Sequence, residues 1–329
     1  MSTDRNRIGN GQQTDSKEYN SIMAEISIIG GINIDIEGCP FRALQPEDSN
    51  PGKISLAYGG VGRNIVENAA RLGGDVAMIS VIGDDQMGRG AKAQLAELGV
   101  DVTYIEELAG RSSSMYLSIL DEKHDMAMAI SDMSIMEALT PEKLADCAAF
   151  LRKSKIVALD ANLDEAILTY VCELLDGIPL FFDPVSAGKA VRVRNLIGRF
   201  YSMKPNVMEA EVLSGMRIET EADLSRAGDW FLAQGLKQLF ITLNKDGVYY
   251  KNEEKEGIIR PDQNLKIVSA TGAGDSFSAA ILLGCVQRMN IEEIARMGMA
   301  AASVAMESKQ AVNSNMHMNE LKRRMREHV

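Results

Sequence analysis

The 329-residue sequence predicts an α/β fold, in which a central and mainly parallel β-sheet lies between helices on both faces. The main observation is that strand-like apolar runs alternate with helical patterns along most of the chain, as they do in parallel sheets. A second observation is that two stretches break this alternation. They predict a small separate β-sheet, which could cover a cleft as a lid.

The composition is that of a globular protein. Hydrophobic residues make up 46% and charged residues 25%, so the chain can bury a large core. With 46 acidic against 35 basic residues, the net charge of −11 disfavours nucleic-acid binding but not one nucleotide-sized ligand. The four cysteines lack zinc spacing, and no apolar run reaches the roughly 18 residues of a membrane span. We therefore expect a cytoplasmic protein with reduced thiols and with neither nucleic-acid nor membrane partners.

The elements of the main sheet follow one another in order. The polar residues 1–24 are interpreted as a flexible tail or an appended leader, residues 25–315 as one domain, and residues 316–329 as its C-terminal helix. Strands are predicted at residues 26–32, 76–82, 156–159, 180–182 and 239–243, with a further strand-like stretch at 266–269. Helices are predicted at residues 65–72, 91–98, 165–175, 207–213 and 224–234, and the chain from residue 274 onward is mostly helical.

The predicted lid comes from two parts of the chain, about 34–58 and about 111–133. Residues 54–58 are strand-like, and residues 114–120 and 126–130 alternate around a polar turn, as in a β-hairpin. A small sheet has exposed edges that a second subunit could cover by pairing. We therefore expect a homodimer through the lid.

The sharpest chemical motif is Ala270-Thr-Gly-Ala-Gly-Asp275, which follows a strand-like stretch and opens a helix. Its small residues let backbone amides approach an anion, and the helix N-terminus adds about half a positive charge. A carboxylate at the same place fits phosphoryl transfer to an alcohol, with Asp275 taking the hydroxyl proton. The alternative is a glycine-rich turn with Asp275 as an ordinary residue of the first helical turn.

A second glycine-rich segment, Tyr58-Gly-Gly-Val-Gly-Arg-Asn64, also leads from a strand into a helix. It is a poor dinucleotide fingerprint, but Gly59 and Gly60 allow close approach and Asn64 offers a donor and an acceptor to a polyol. Asn33 and Asp35 follow the first strand, where ligands bind in open α/β sheets. Each pattern could equally be a plain turn.

Three weaker patterns follow later strands. Asn206 and Glu209 share a helix face and could point at a metal or its waters, or form a capping pair, or do both. Asp183 offers a carboxylate for metal-bound water and Lys189 a cation for phosphate, unless they merely end a strand. Residues 242–247 could wrap a nucleotide or form a hairpin turn. It is the agreement of these sites, each following a strand, that favours a ligand-binding edge.

These residues resemble the ribokinase-like (PfkB) family of sugar and nucleoside kinases across almost all of residues 25–315. The two family signatures match residues 59–64 and 271–275, and the Asn206/Glu209 pair matches as well. The resemblance implies a mainly parallel sheet between helices with a small β lid over the acceptor. It also implies a kinase that uses ATP and Mg²⁺.

The resemblance implies roles for individual residues. Asp275 matches the catalytic base, and Gly272, Ala273 and Gly274 match the anion hole. The positions for the acceptor are Asn33, Asp35, Gly59, Gly60, Asn64 and Asn162, with Asp132 of the lid as a further candidate. Those for ATP are Lys189, Asn206, Thr242, Asn244, Gly247, Thr271 and, near the adenine, Asn313. Glu209 and Asp183 are expected to organise Mg²⁺ through water.

Two further implications concern ion dependence and the acceptor. Ser269 stands where many members have an Asp that helps bind a monovalent cation, which leaves activation by K⁺ doubtful. Short segments, among them residues 48–53 and 131–135, are most similar to members that phosphorylate the 5′-hydroxyl of pseudouridine. The alternatives are a free sugar or another nucleoside as acceptor and, more remotely, a binding protein without catalysis on the same fold.

Overall fold

A computed structural model of the protein describes residues 24–262, 265 and 267–327. The strands in these residues are β1 (Ile26–Ile29), β2 (Asn33–Pro40), β3 (Gly52–Gly59), β4 (Val76–Gly83), β5 (Ile105–Leu108), β6 (Ser114–Leu120), β7 (Met126–Asp132), β8 (Ile156–Asp160), β9 (Leu180–Asp183), β10 (Ser202–Met203), β11 (Gln238–Thr242), β12 (Val248–Lys251) and β13 (Glu256–Ile259). The helices are α1 (Val61–Arg71), α2 (Gln86–Glu97), α3 (Pro141–Leu151), α4 (Glu165–Leu174), α5 (Ala187–Ala190), α6 (Val207–Ser214), α7 (Glu221–Ala233), α8 (Ala273–Val286), α9 (Ile291–Met306) and α10 (Met318–Glu327). None of these helices is long and apolar enough to span a membrane.

The main sheet contains nine of these strands, in the order β13-β12-β11-β10-β9-β8-β1-β4-β5. Pairing is parallel from β5 to β11, and only the pairs β11–β12 and β12–β13 are antiparallel. The central strands β1, β4, β8 and β9 are buried along their whole length, as expected of parallel strands covered on both faces. The prediction of a mainly parallel sheet is therefore confirmed.

The two faces of this sheet form two separate cores. In β1, Ile26 and Ile28 pack in one core with α1, α8 and α9, and Ile29 packs in the other with α3, α4 and α7. This split follows from strand geometry, because successive side chains point to opposite faces. Each face therefore needs its own layer of helices, and the strand–helix alternation in the sequence supplies both.

The lid is a four-stranded sheet in the order β3-β2-β6-β7. The β6–β7 hairpin joins the β2–β3 pair through parallel pairing of β2 with β6. Every described side chain of β7 and most of those of β3 are exposed. The separate small sheet expected from the sequence is thus present, and it projects from the main body.

The prediction of a strand at residues 266–269 is wrong for the described residues 267–269. Ile267 and Val268 are exposed, and the amide of Val268 donates to the carbonyl of Met306 at the end of α9 (2.8 Å). The segment is held by a helix end rather than by a neighbouring strand, so its apolar pattern does not make it part of the sheet. Residue 266 lies outside the described residues.

The ends of the chain also differ from expectation. The predicted tail falls mainly on residues 1–23, which lie outside the described residues, whereas Ala24 is buried in the fold. The first strand ends at Ile29 instead of residue 32, and the chain then passes close to α1, where a Cβ on Gly30 would lie 3.1 Å from the Cα of Gly62. The C-terminal helix α10 packs on α9 and buries Leu321 in the core.

Helices α8 and α9 pack tightly because of glycine. A Cβ atom placed on Gly298 of α9 would lie 2.6 Å from the ring of Phe277 on α8. This is closer than side chains can approach without a shift, and Phe277 is itself only 1% exposed. The position of α8, which carries Asp275, therefore depends on a bare backbone at Gly298.

We predict that Gly298→Ala lowers the free energy of unfolding by up to about 2 kcal/mol. An alanine in a helix interior normally gains about 1 kcal/mol over glycine, but overpacking a core costs about 1–3 kcal/mol. The measurement is urea denaturation, with Gly188→Ala as the control, because a Cβ there meets no atom within 4 Å. A Gly298→Ala protein about 1 kcal/mol more stable than wild type would contradict the tight packing of the two helices.

Candidate active site

The candidate site lies at the carboxyl edge of the main sheet. Asp160 and Asp183 are the last residues of β8 and β9, Lys204 directly follows β10, and Thr242 ends β11. Because these strands are parallel neighbours, their ends meet at one edge of the sheet, where open α/β sheets bind ligands. The N-terminus of α8 brings Asp275 to the same place.

Asp275 lies in the first turn of α8 and is held by Asn64 of α1. The Asn64 Nδ2 donates to Asp275 Oδ2 at 2.8 Å, so the two glycine-rich segments meet although 211 residues separate these side chains. The turn before the helix needs Gly272, whose φ is 78° and where any Cβ would collide with the carbonyl of Ala311. The structure therefore places the expected base at a helix N-terminus, directly beside an expected acceptor-binding residue.

The expected anion hole is only partly free. The amide of Ala273 already donates to the carbonyl of Ala270 at 3.3 Å, whereas no hydrogen bond of the described residues uses the amides of Gly272 and Gly274. An oxyanion stabiliser needs donors aimed at the developing charge. The geometry favours Gly272 and Gly274 over Ala273 for this role.

The charges around Asp275 place its titration near neutrality. Burial of the carboxylate and the neighbouring charge of Asp183 raise the pKa of Asp275 to about 7, with a smaller contribution from Asp160. The hydrogen bond from Asn64 and the charge of Lys204 act in the opposite direction. A carboxylate with a pKa near 7 is a stronger base than an ordinary aspartate and remains ionised above neutral pH.

Lys204 is the cation of this cluster. Its Nζ lies 3.2 Å from Asp183 Oδ2, with both side chains less than a tenth exposed, and about 3.4 Å from where a Cβ of Gly274 would lie. Although burial disfavours the ammonium form, the carboxylates of Asp183, Glu209 and Asp275 raise the pKa of Lys204. A lysine kept charged beside the start of α8 can stabilise a transferring phosphoryl group.

Asp160 is a second buried carboxylate at this edge. Its Oδ1 accepts from the amide of Asn162 at 2.7 Å, whereas its Oδ2 has no partner. Burial raises the pKa of Asp160 to about 6, against the hydrogen bond from Asn162. The side chain of Asn162 accepts from Lys189 Nζ at 2.5 Å. Asn162 and Lys189, expected to bind acceptor and phosphate, thus lie together beside Asp160.

The expected acceptor residues of the lid strands are also neighbours. Asn33 Nδ2 donates to Asp35 Oδ1 at 2.6 Å, and Asn33 lies opposite Gly59 in the β2–β3 pair. A Cβ on Gly59 would collide with the carboxylate of Asp35, and one on Gly60 would lie 2.6 Å from the carbonyl of Gly31. Burial raises the pKa of Asp35. Gly59 and Gly60 therefore let β3 and the start of α1 pack closely around the side chains of Asn33 and Asp35.

The expected ATP side is built on a helix cap. Asn206 and Glu209 form a complete capping box, in which the amide and the Nδ2 of Asn206 each donate to Glu209 at 2.8 Å. An isolated parallel bridge joins Asn206 to Thr242, so two of the expected ATP residues lie side by side. The capping alternative left open by the sequence is present, and it positions both residues at the site edge.

The carboxylates of Asp183 and Glu209 fit Mg²⁺ through water rather than as direct ligands. Asp183 is already bound by Lys204, by Ser278 Oγ (2.8 Å) and by the amide of Val185 (3.0 Å), and both oxygens of Glu209 are used by the cap. Among the described residues, no three His, Cys, Asp or Glu side chains converge as a metal site. Mg²⁺ in kinases keeps waters and takes substrate phosphates with one or two carboxylates. These residues therefore suit an ion held through water rather than by direct ligation.

The structure gives several expected ligand residues other contacts. Asp132 is exposed on the lid and accepts from Ser134. The buried amide of Asn313 donates to the carbonyl of Val304 at 2.6 Å and accepts from Asn315. A Cβ on Gly247 would collide with the carbonyl of Ile259, so this glycine is needed for packing. Asn313 and Gly247 thus have structural contacts of their own, and their contacts with ATP stay predictions.

Thr271 and Asn244 remain at the rim of the site. The amide of Thr271 donates to Ser269 Oγ at 3.1 Å, and Thr271 is exposed. Asn244 begins a short turn after β11 with a φ of 54°. Among the described residues, neither side chain takes part in a hydrogen bond, and the contacts of both residues with ATP stay predictions.

Sequence reasoning missed four residues of the cluster: Asp160, Lys204, Ser278 and Arg63. Lys204 and Asp160 carried a usable signal, since each is a charged residue at the end of a buried strand. Ser278 lies inside a helix with an ordinary pattern, and only its neighbour Asp183 links it to the site. Arg63 also carried a signal, because it lies in the glycine-rich segment 58–64 directly before Asn64.

Comparison with known proteins agrees with this geometry. The family described as pfkB family carbohydrate kinase matches residues 23–318. The chain is 36% identical over 281 residues to a pseudouridine kinase of Escherichia coli strain K12, covering 85% of this chain and 90% of that one. It is 30% identical over 286 residues to a guanosine-inosine kinase of Exiguobacterium acetylicum, covering 85% and 94%. A crystal structure of a putative sugar kinase from Clostridium perfringens matches with a TM-score of 0.85 and 30% identity, covering 92% and 96%. The chain therefore belongs to the pfkB family of carbohydrate kinases, and its fold is ribokinase-like.

Proposed function

We propose that the protein transfers the γ-phosphoryl group of ATP to the 5′-hydroxyl of a ribosyl nucleoside, with Asp275 as the general base. The observation that carries this proposal is the hydrogen bond between Asn64 and Asp275, which joins an acceptor-binding residue to the base. The pKa of about 7 for Asp275 suits a group that must take a proton near neutral pH.

In the proposed reaction, the acceptor oxygen forms a bond to the γ-phosphorus while the bond to the β–γ bridging oxygen breaks, leaving ADP. Asp275 accepts the hydroxyl proton. The amides of Gly272 and Gly274 and the ammonium of Lys204 stabilise charge on the transferring group. Mg²⁺, held through water near Asp183 and Glu209, supplies further positive charge to the phosphates when bound.

Two groups of residues hold the substrates. Asn206 and Thr242 lie on the side proposed for ATP, with Lys189 close to the phosphates. Asn33, Asp35 and Asn64 bind the ribose hydroxyls beneath the lid, with Asn162 beside them. Closure of the lid excludes water, which would otherwise hydrolyse ATP.

We propose pseudouridine as the acceptor. The support is the 36% identity to a pseudouridine kinase over 85% of the chain and the short lid segments that prompted the same expectation. The alternatives are a purine nucleoside, favoured by the similarity to a guanosine-inosine kinase, or a free sugar such as ribose or fructose. A binding protein without catalysis is disfavoured, because Asp275 and the free amides of the glycine turn are both present.

We predict that kcat/KM of the wild-type enzyme falls about tenfold per pH unit below pH ~7, because the protonated form of Asp275 cannot accept the hydroxyl proton. Asp275→Asn should lower kcat by roughly 10³-fold at pH 8, while the dissociation constant for ATP changes little. A coupled ADP-release assay across pH and calorimetric titration of ATP measure the two effects.

The control is Asp146→Asn, which changes an exposed aspartate of α3 and should retain wild-type kinetics. Near-normal turnover of Asp275→Asn would contradict the assignment of the base.

We predict that kcat/KM for pseudouridine exceeds that for uridine by at least about tenfold, because discrimination by a polar base edge is worth more than one added methylene. The assay measures ADP release with pseudouridine, uridine, inosine, guanosine, adenosine, ribose and fructose. Highest kcat/KM with a free sugar or a purine nucleoside would contradict the proposed acceptor while leaving the kinase chemistry intact.

We also propose that a second copy of the chain covers the lid. The registers place Ile54, Leu56, Met128 and Ile130 on one face of the lid sheet, each more than half exposed, together with Ile36, Leu117 and Ile119. These seven side chains carry no charge, and the registers place the charged Asp132 on the same face, where β7 ends. Two such faces can therefore pack on each other through the apolar side chains without burying an unpaired charge, because Asp132 lies at the edge of the patch.

We predict a dimer in solution by sedimentation velocity, which Leu56→Lys together with Ile130→Lys converts to a monomer because each change would bury a charge. Ser131→Lys is the matched control, since this exposed residue of β7 faces the opposite side of the sheet. A monomeric wild-type protein would contradict the proposed dimer.

A further inference from the structure

We propose that Arg63 is a positioning residue that fixes the orientation of the Asn64 amide and, through it, the carboxylate of Asp275. The inference rests on the proposed function, because it concerns the same base. Arg63 precedes Asn64 in α1 and is only 3% exposed, which is rare for an arginine.

The Arg63 guanidinium contacts both the end of β3 and the side-chain amide of Asn64. Its Nη1 donates at 3.0 Å to the carbonyl of Tyr58 and at 3.0 Å to Asn64 Oδ1. One planar group thus ties the residue before Gly59 and Gly60 to the side chain that reaches Asp275. Both hydrogen bonds leave the same nitrogen, whose two N–H groups have fixed directions in the plane of the guanidinium, so that Nη2 remains available for other partners.

The guanidinium of Arg63 and the carboxylate of Asp275 permit only one orientation of the Asn64 amide between them. A guanidinium can only donate hydrogen bonds and an ionised carboxylate can only accept them. The oxygen of Asn64 must therefore face Arg63, and its NH₂ must face Asp275, as the two bonds show. Without Arg63 the amide can rotate, and its oxygen would then repel the carboxylate.

Arg63 is itself fixed from two sides. Its Nη2 donates to Gln94 Oε1 of α2 at 2.7 Å and forms an ion pair with Glu67 on the next turn of α1. Glu67 is in turn bound by Arg71, whose Nε lies 2.8 Å from Oε1. A chain of contacts therefore runs from Arg71 through Glu67, Arg63 and Asn64 to Asp275, and only its last two members face the substrate.

A double-mutant cycle tests whether Arg63 acts through Asn64. We expect Arg63→Met to lower kcat about 10- to 100-fold with the KM for ATP within about twofold of wild type. Asn64→Ala should lower kcat at least as much. The double variant should match Asn64→Ala within about twofold, because Arg63 has nothing left to position. Effects that multiply, or an Arg63→Met enzyme within twofold of wild type, would overturn the inference.

Three further proteins make the outcome unambiguous. Arg63→Lys should recover part of the kcat lost in Arg63→Met, and its own cycle with Asn64→Ala replaces the first should Arg63→Met fail to fold. Arg296→Met, which removes a matched ion pair with Glu292 on α9 outside this chain of contacts, should keep kcat within about twofold. Wild-type protein that phosphorylates no acceptor would overturn the proposed function and this inference with it, whereas an active wild type with multiplicative effects overturns the inference alone.

Discussion

The site depends on the burial of like charges at one edge of the sheet. Asp160, Asp183 and Asp275 crowd the carboxyl ends of the strands and the start of α8, where burial and neighbouring carboxylates raise the pKa of Asp160 and that of Asp275. Lys204 offsets part of this cost by its ion pair with Asp183. The pKa of Asp275 therefore lies near 7, which suits the proposed role of this carboxylate as a base.

The framework that holds these charges is rigid where they meet. Ser278 of α8 donates to Asp183 of β9, so the helix that carries Asp275 is bonded to a neighbouring strand end. Gly298 lets α9 pack closely on α8. On the other side, Asn64 of α1 donates to Asp275 and accepts from Arg63. Contacts with β9, α9 and α1 thus fix the position of Asp275, an arrangement that would limit reorganisation during the proposed proton transfer.

The lid contrasts with this rigid body. Its strands pair well with each other, yet most side chains of β3 and all those of β7 are exposed. One face carries the polar pair Asn33 and Asp35, and the other carries exposed apolar side chains with Asp132 where β7 ends. This division follows from the two-residue period of a strand. The proposed acceptor and the proposed second copy of the chain would therefore contact opposite faces of this sheet.

The sequence alone was sufficient for most features that rest on local patterns. The strand–helix alternation predicted the layered fold, the hairpin pattern predicted β6 and β7, and the spacing of Asn206 and Glu209 indicated a capping pair that the structure contains. Such features depend on hydrogen bonds and periodicity within a few residues, which the sequence displays directly.

The tertiary structure decided everything that depends on distant neighbours. The apolar run at 266–269 resembled a strand, but its described residues 267–269 are tied to the end of α9. Asn313 and Gly247 have internal contacts that the sequence did not display, while their contacts with ATP stay predictions. The ion pair of Lys204, the contact of Asn64 with Asp275 and the raised pKa of Asp275 arise from groups brought together from remote parts of the chain. Electrostatic and packing energies depend on distance in space, and separation along the sequence does not report that distance.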